Sequence, residues 1–398
     1  MGLNLKEEIA RITPGLVEVR RDFHQHPELA FQENRTAQVV ADRLRALGLD
    51  VKTGVGRTGV VGLLRGRSGG RTIAIRADMD ALPILETGSL SYRSQNAGIM
   101  HACGHDGHTA AALSVARLLA GHHEDVHGTI KFIFQPAEEA ASGAEEMIKD
   151  GAMRDPEVDS VLSLHLWNYL PVGTVGFRAG PIFSSADDMR IVIQGRGGHG
   201  GLPHQTIDPI PVAAQVILAL QLLVSRNISP FEPAVLTIGM VQGGSAFNVI
   251  PEMVTLAGTV RAYDMKVRDY LVERAEETVR GICLSSGATY QFNARFCCPP
   301  VVNDQAITAL AHRAAQRVLG AEHVVTANQS TTGDDVAYFN QAAPGCYFLV
   351  GSGNEQKGYT RPHHHHEFNF DEDALPVAVA VLAQGALDLL DRPPAGQA

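Results

Sequence analysis

Apolar residues recur at helical spacing over Leu5–Phe23 and again over Asn34–Leu47, so the chain opens on two helices, the second closed by Gly48. Pro27 stops the first, which leaves His24 and His26 as loop residues. The period then changes. Val51–Leu64 alternates with glycines as a hairpin does, and three β-rich runs, Arg71–Ala77, Gly128–Gln135 and Val158–Leu164, read as buried strands. Helical spacing returns between them at Thr109–Leu119 and Gly143–Asp150. Strand and helix in alternation predict an α/β domain with a mainly parallel central sheet.

After Ser184–Asp188 the order of elements changes. Met189–Gln194 reads as a strand, Asp208–Ser225 as a helix, Ala234–Val241 and Met253–Ala262 as strands, Lys266–Ser286 as a helix and Ala288–Phe296 as a strand. That βαββαβ order is the signature of a ferredoxin-like split unit. From Asn303 the first alternation resumes, with helices over Asp304–Leu319, Asp334–Asn340 and Asp373–Leu390 and a strand at Cys346–Val350. The expected organisation is a discontinuous first domain, 1–185 and 299–398, carrying an inserted second domain, 186–298.

The polar residues that interrupt this pattern are not scattered. Each strand of the first domain is expected to end on acids or imidazoles: Asp78–Met79–Asp80, Glu138–Glu139, and His165 before Leu166–Asn168. On the connection between two of them, His101–His108 packs three imidazoles, a thiol and a carboxylate into eight residues with two glycines. Thiolate and neutral imidazole are ligands for zinc and its neighbours, and Cys103 and His105 can both face one centre across a turn. Ligands of parallel sheets gather beyond the carboxyl ends of the strands. Asp78, Asp80, Cys103, His105, Glu138, Glu139 and His165 are therefore expected at one rim, as a metal site.

Composition narrows the partners. The chain has 398 residues, 45% apolar and 19% charged, which is enough for two packed cores. A net charge of -10 without any Lys/Arg run argues against nucleic acid and anionic membranes, leaving small molecules. Met1–Glu8 is polar and lacks the apolar stretch of a secretory signal, and Pro211–Val224, broken by Gln215 and Gln221, is too short to span a bilayer. Five cysteines without a regular framework fit a reducing compartment, so the expected location is cytoplasmic. His363–His366 is an internal tetrad that can supply a late ligand, though spacing does not say which member. Gly195–Gly200 matches a dinucleotide fingerprint in form. Leu202–Pro203–His204 stands where its helix should begin, and only Asp208 is acidic between Leu202 and Pro230, so a nicotinamide oxidoreductase is set aside.

The strings Arg76–Pro83, His101–His108, Phe134–Glu139, Gly197–Gly198–His199 and Ala246–Glu252 resemble the M20 metallopeptidase family, in its amidohydrolase branch of hippurate, N-acyl-amino-acid and auxin-conjugate hydrolases. The resemblance implies a zinc-peptidase-like catalytic domain with an inserted lid that dimerises, giving a homodimer or a dimer of dimers. It implies two divalent ions, zinc or manganese with cobalt or nickel as further options. Cys103 would bridge them, with His105 and His165 on one ion and Glu139 and His364 on the other. His364 lies seven residues before Asp371, and His365 is the alternative. Glu138 resembles the general base and Asp80 the steadying carboxylate. His199 resembles a lid histidine that reaches the partner's site, while Asn248 and Arg261 would hold the substrate carboxylate. Asp78 stands where other branches have a histidine ligand and receives no role. The implied reaction is hydrolysis of the amide bond of N-acyl amino acids, hippurate-like or acetylated. Carboxypeptidase or dipeptidase action on short peptides is the alternative, and a non-catalytic metal-binding dimer the remote one.

Overall fold

The computed structural model describes residues 4–391, so Met1–Leu3 and the tail after Asp391, both ends of the expected first domain, lie outside the described residues. The chain divides into two compact units. One runs to Ile182, takes up again over Val301–Asn328 and continues from Asp334. The other holds Phe183–Pro300 and Gln329–Gly333.

The first unit begins with α1 (Leu5–Gln25) and α2 (Asn34–Ala46), whose buried faces include Ile12, Leu16, Phe23, Val40 and Leu44. His24 belongs to α1 and is fully buried, which corrects the loop reading. Pro27 tolerates helix up to Gln25 because it removes only its own donor and restricts only the residue before it. β1 (Asp50–Val55) and β2 (Gly59–Arg65) form the expected hairpin, and β3 (Arg67–Asp78) follows. Then come α3 (His105–Ala120), β4 (His127–Gln135), α4 (Gly143–Lys149), β5 (Ser160–Pro171), the short β6 (Val175–Phe177) and β7 (Gly180–Phe183). The start of α3 at His105 places two of the cluster's histidines on the first turn of a helix rather than before it.

In the second unit β8 (Ala186–Gln194), α5 (Pro209–Leu222), β10 (Ala234–Gly243), β12 (Met253–Ala262), α6 (Met265–Ser286) and β13 (Thr289–Cys298) follow in order, with β9 (Gly198–His199) and β11 (Val249–Ile250) as an added ribbon. Its sheet runs β10-β12-β8-β13 and every pairing is antiparallel. Val212, Val216 and Leu220 from α5 and Leu271, Ala275 and Val279 from α6 share one core with Ile191, Ile193 and Leu256. Only a single 3-10 turn, Pro203–Gln205, follows the Gly195–Gly200 loop before α5. With its closing π turn the α5 segment reaches Pro209–Asn227, 19 residues of mean hydropathy 1.5, so by length and composition it does extend far enough to cross a membrane, contrary to the sequence reading. A third of it is buried, on the face that packs into the unit's core.

The first unit closes with β14 (Val301–Asn303), α7 (Gln305–Leu319), β15 (Val324–Thr326), α8 (Val336–Ala342), β16 (Gly345–Gly353) and α9 (Ala374–Leu390). Its eight-stranded sheet has the order β1-β2-β4-β3-β5-β16-β6-β15. The central run β4-β3-β5-β16 is parallel, as is β6-β15; the remaining pairings are antiparallel. β5 is longer than its apolar run because β16 continues the ladder beside it, with Leu349 opposite His165 and Gly351 opposite Trp167. His165 therefore lies within the strand, not past its end as expected.

Candidate functional site

Two tight turns bring the ligand types together. Gly104 caps α3 with φ 95°, a left-handed conformation open to glycine, so the chain reverses between Cys103 and His105. Beyond β4, Gly143 lets the backbone fold against the Pro136 carbonyl: a Cβ there would stand 1.6 Å from that oxygen. Inside this loop sit Glu138 and Glu139, preceded by Ala137 at φ 53°. His364 is also left-handed, φ 66°, with its N–H donating to the Ala102 carbonyl at 2.8 Å. Non-glycine residues in that region cost about 1–3 kcal/mol and collect at functional sites.

Asp80 is the clamp. Its Oδ1 accepts the Glu138 N–H at 3.1 Å and its Oδ2 the Glu139 N–H at 3.0 Å. His105 Nδ1–H donates to the Asp80 carbonyl at 2.9 Å, which sends Nε2 inward. That nitrogen is buried without a hydrogen-bond partner, 3.9 Å from Glu138 Oε2 and 4.0 Å from Glu139 Oε1. His165 is fixed in the same way: Nδ1–H donates to the Leu166 carbonyl at 2.6 Å and Nε2 faces Cys103 Sγ at 3.4 Å. Glu139 Oε1 makes no hydrogen bond of good geometry although His364 Nε2 stands 3.3 Å away.

Among the described residues five donor groups are each compact enough for one ion: Cys103–His105–His165, Cys103–Glu139–His364 and His105–Glu138–Glu139, with Asp78–His105–His108 and Glu138–Asp334–Asp335 beside them. The thiol belongs to two of them. Unpartnered buried nitrogen and oxygen atoms aimed at one another are costly unless a cation sits among them, so the donor set fits divalent metal. His365 is in none of these groups; its Nδ1 accepts the Glu367 N–H at 3.1 Å.

Protonation separates the two glutamates. Burial raises Glu138 well above the usual carboxylate range, and Asp334, Glu139 and Asp335 add to it. Burial also acts on Glu139, but His364 and His105 outweigh it and hold that carboxyl low. Burial works against the charge on His105, yet Asp78 and Asp80 prevail and raise the imidazole to about 10. Burial and the flanking carboxylates push the Cys103 thiol up, so a cation is what would hold it as thiolate.

Several structural partners escaped the sequence reading. Asp78, left without a role, accepts Arg76 Nη1–H at 2.7 Å and His108 Nδ1–H at 2.6 Å. His108 Nε2 accepts the Leu166 N–H at 2.9 Å, so this histidine ties α3 to β5 and is committed on both nitrogens. Arg76 also reaches Asp334 at 3.1 Å and Asp335 at 3.3 Å, while Asp335 accepts the Ala144 N–H at 3.0 Å and thereby holds the end of the glutamate loop. One signal was present: an arginine inside an apolar strand run must meet buried acids. Nothing in spacing says which.

The remaining expected residues lie in the second unit. His199 is exposed on β9, its Nδ1 accepting the Gly201 N–H at 3.0 Å, and the Gly200 N–H donates to the Asn248 carbonyl at 2.8 Å. The ribbon thus brings His199 and Asn248 together. Arg261 lies on β12, opposite Val235.

Residues 74–388 match peptidase family M20/M25/M40. An N-acetyl-L-cysteine deacetylase from Bacillus subtilis is 39% identical over 98% of this chain and 92% of its own. An N-acyl-L-amino acid amidohydrolase from Geobacillus stearothermophilus is 44% identical over 75% of this chain and 81% of its own. Among solved structures, a dinuclear metal-binding peptidase of the M20 family from Bacillus subtilis superposes with a TM-score of 0.82 at 36% identity, over 96% of this chain and 99% of that one. With the family match spanning most of its length, this chain is a member of peptidase family M20/M25/M40.

Proposed function

We propose that the protein is a dinuclear metal-dependent amidohydrolase that cleaves N-acyl amino acids to a carboxylic acid and a free amino acid. The observation that carries this is the shared sulfur: Cys103 stands in two donor groups at once, and Glu138, beside His105, belongs to neither of those two. In this reading Cys103 would serve both ions, with His105 and His165 holding one and Glu139 and His364 the other. A Cys, His and Glu set suits zinc, with manganese, cobalt and nickel also compatible. When bound, such a pair of ions supplies an acidified water and a polarised amide carbonyl.

The chain's own residues do the rest. Burial and neighbouring carboxylates raise Glu138, an effect that cations held beside it would offset, so that as carboxylate it would take a proton from the attacking water as the oxygen bonds to the acyl carbon. It then delivers that proton to the amine nitrogen as the C–N bond breaks. Asp80 keeps both glutamates in place through their backbone N–H groups. His199 would donate to the developing oxyanion, and Asn248 and Arg261 would hold the free carboxylate, for which a guanidinium is the natural clamp. The same reading makes the second unit a lid that dimerises. Five cysteines without a regular spacing framework fit a cytoplasmic enzyme.

The test is release of free amino acid from N-acetyl and N-benzoyl amino acids by metal-loaded protein, repeated after exhaustive chelation and after reloading. Turnover that appears with metal and vanishes without it is expected; undiminished turnover after chelation refutes the reading. Cleavage of dipeptides in preference to N-acyl amino acids would move the assignment to the peptidase alternative.

A further inference from the structure

β5 presents alternate residues on one face, so His165, Trp167 and Tyr169 line up along it. Burial falls along this row: His165 is buried, Trp167 half-buried, and Tyr169 is 63% exposed. The rings touch in sequence, with centroids 5.6 Å apart between His165 and Trp167 and 5.1 Å between Trp167 and Tyr169. His363 completes the surface. It stacks on Trp167 at 4.9 Å and 27°, lies 5.8 Å from Tyr169, and is held by Nε2–H donating to the Leu166 carbonyl at 2.9 Å. That carbonyl also anchors His165, so the surface and the metal-facing imidazole share one fixed point. The result is a stepped aromatic ledge, with Trp167 and His363 stacked at its centre and His165 and Tyr169 turned against Trp167 by 89° and 57°, that starts at a donor of the metal cluster and opens to solvent.

We propose that this ledge seats the ring of an aromatic acyl group, so that the enzyme favours aroyl over acetyl amino acids. The inference rests on the amidohydrolase reading and adds the acyl class to it. A row of rings that emerges from buried to exposed is a surface for another ring, by offset or edge contact, and its four side chains include no ammonium or guanidinium group to meet a carboxylate. The carboxylate-bearing amino-acid half gains nothing from it, whereas an uncharged aroyl half does.

Trp167 is the sole tryptophan, so its emission reports directly on the ledge. N-Benzoylglycine titrated into Glu138→Gln protein should change that emission with saturation, and N-acetylglycine should leave it unchanged. In the parent enzyme the ratio of kcat/KM for N-benzoylglycine over N-acetylglycine should fall about tenfold in Trp167→Ala and in Tyr169→Ala, the scale of one aromatic pair, and be restored by Trp167→Phe. Tyr169 is largely solvent-facing, so its variant does not depend on repacking. An unchanged ratio in both alanine variants while both substrates turn over sinks the ledge and leaves the amidohydrolase reading intact. A drop for N-acetylphenylalanine instead would put the ring on the amino-acid half and overturn the assignment. If neither substrate is hydrolysed the function fails, and the emission titration still decides the ledge: identical responses to the two ligands refute it.

Discussion

Replacing Asp106 by Asn probes the charged network packed behind the metal cluster. Arg20 is fully buried; its Nε–H donates to Asp106 Oδ2 at 2.8 Å, Nη1–H to Glu372 at 3.1 Å and Nη2–H to Asn369 at 2.8 Å. His24 Nδ1–H donates to the same Asp106 oxygen at 2.8 Å, and its Nε2–H faces Glu86 at 3.4 Å. Breaking a buried ion pair by removing one partner costs about 3–5 kcal/mol. Glu372 remains to face the guanidinium, so the lower end applies, about 3 kcal/mol or two decades in the folding equilibrium.

The pH dependence fixes the sign. Burial opposes the Asp106 charge, but Arg20 and His24 outweigh it and hold the carboxyl well below its usual range. Its contribution is complete above the unfolded value of about 3.9 and is lost as pH falls towards the folded one. Burial also opposes the charge on His24, yet Asp106 and Glu86 raise the imidazole. That contribution is complete below the unfolded value of about 6.5 and is lost as pH rises through the folded one. Urea unfolding of metal-free parent and variant should show the widest midpoint gap between about pH 4 and 6.5, closing in acid and narrowing in part on the alkaline side. Equal midpoints at pH 5 to 6, or a gap that ignores pH, would refute the reasoning.

Glu138→Gln should keep metal content near normal by elemental analysis while turnover falls at least about 100-fold, the lower range for losing a general base. Asp80→Ala frees the backbone of both glutamates and one contact to His105, and should weaken metal affinity about 10–100-fold in competition with a chromophoric chelator. Gly143→Ala forces a methyl carbon into the Pro136 carbonyl; destabilisation of about 1–3 kcal/mol with loss of metal affinity is expected, and a stable, metal-replete variant would show the loop to be more yielding than its geometry says.

Much of the first unit was legible because its strands are continuous apolar runs and its helices keep their period. The ligand types were legible too, since Cys103 and His105 announce themselves by density and Glu138–Glu139 by following a strand. What stayed hidden depends on contacts between remote residues. His24 looked like a loop histidine because its partners, Asp106 and Glu86, lie far along the chain. His165 looked like a strand end because the strand that prolongs its ladder begins only at Gly345. Asp334 and Asp335 read as an ordinary helix start, and only the fold places Arg76 against them. His108 shares its octapeptide with two ligand candidates, yet both its nitrogens are committed to Asp78 and Leu166, a division of labour that residue type cannot reveal.

β16 occupies the slot between β5 and β6, two strands that follow each other directly in the chain. A ribosome delivers β5 and β6 early and β16 only after the whole second unit has been made, with His364 emerging later still. The slot between β5 and β6 therefore stays unfilled until Gly353 has been made, and a product released before that point carries Cys103, His105 and His165 without His364. Under the proposed ligand set, translation order itself would keep unfinished chains from assembling the second ion's site.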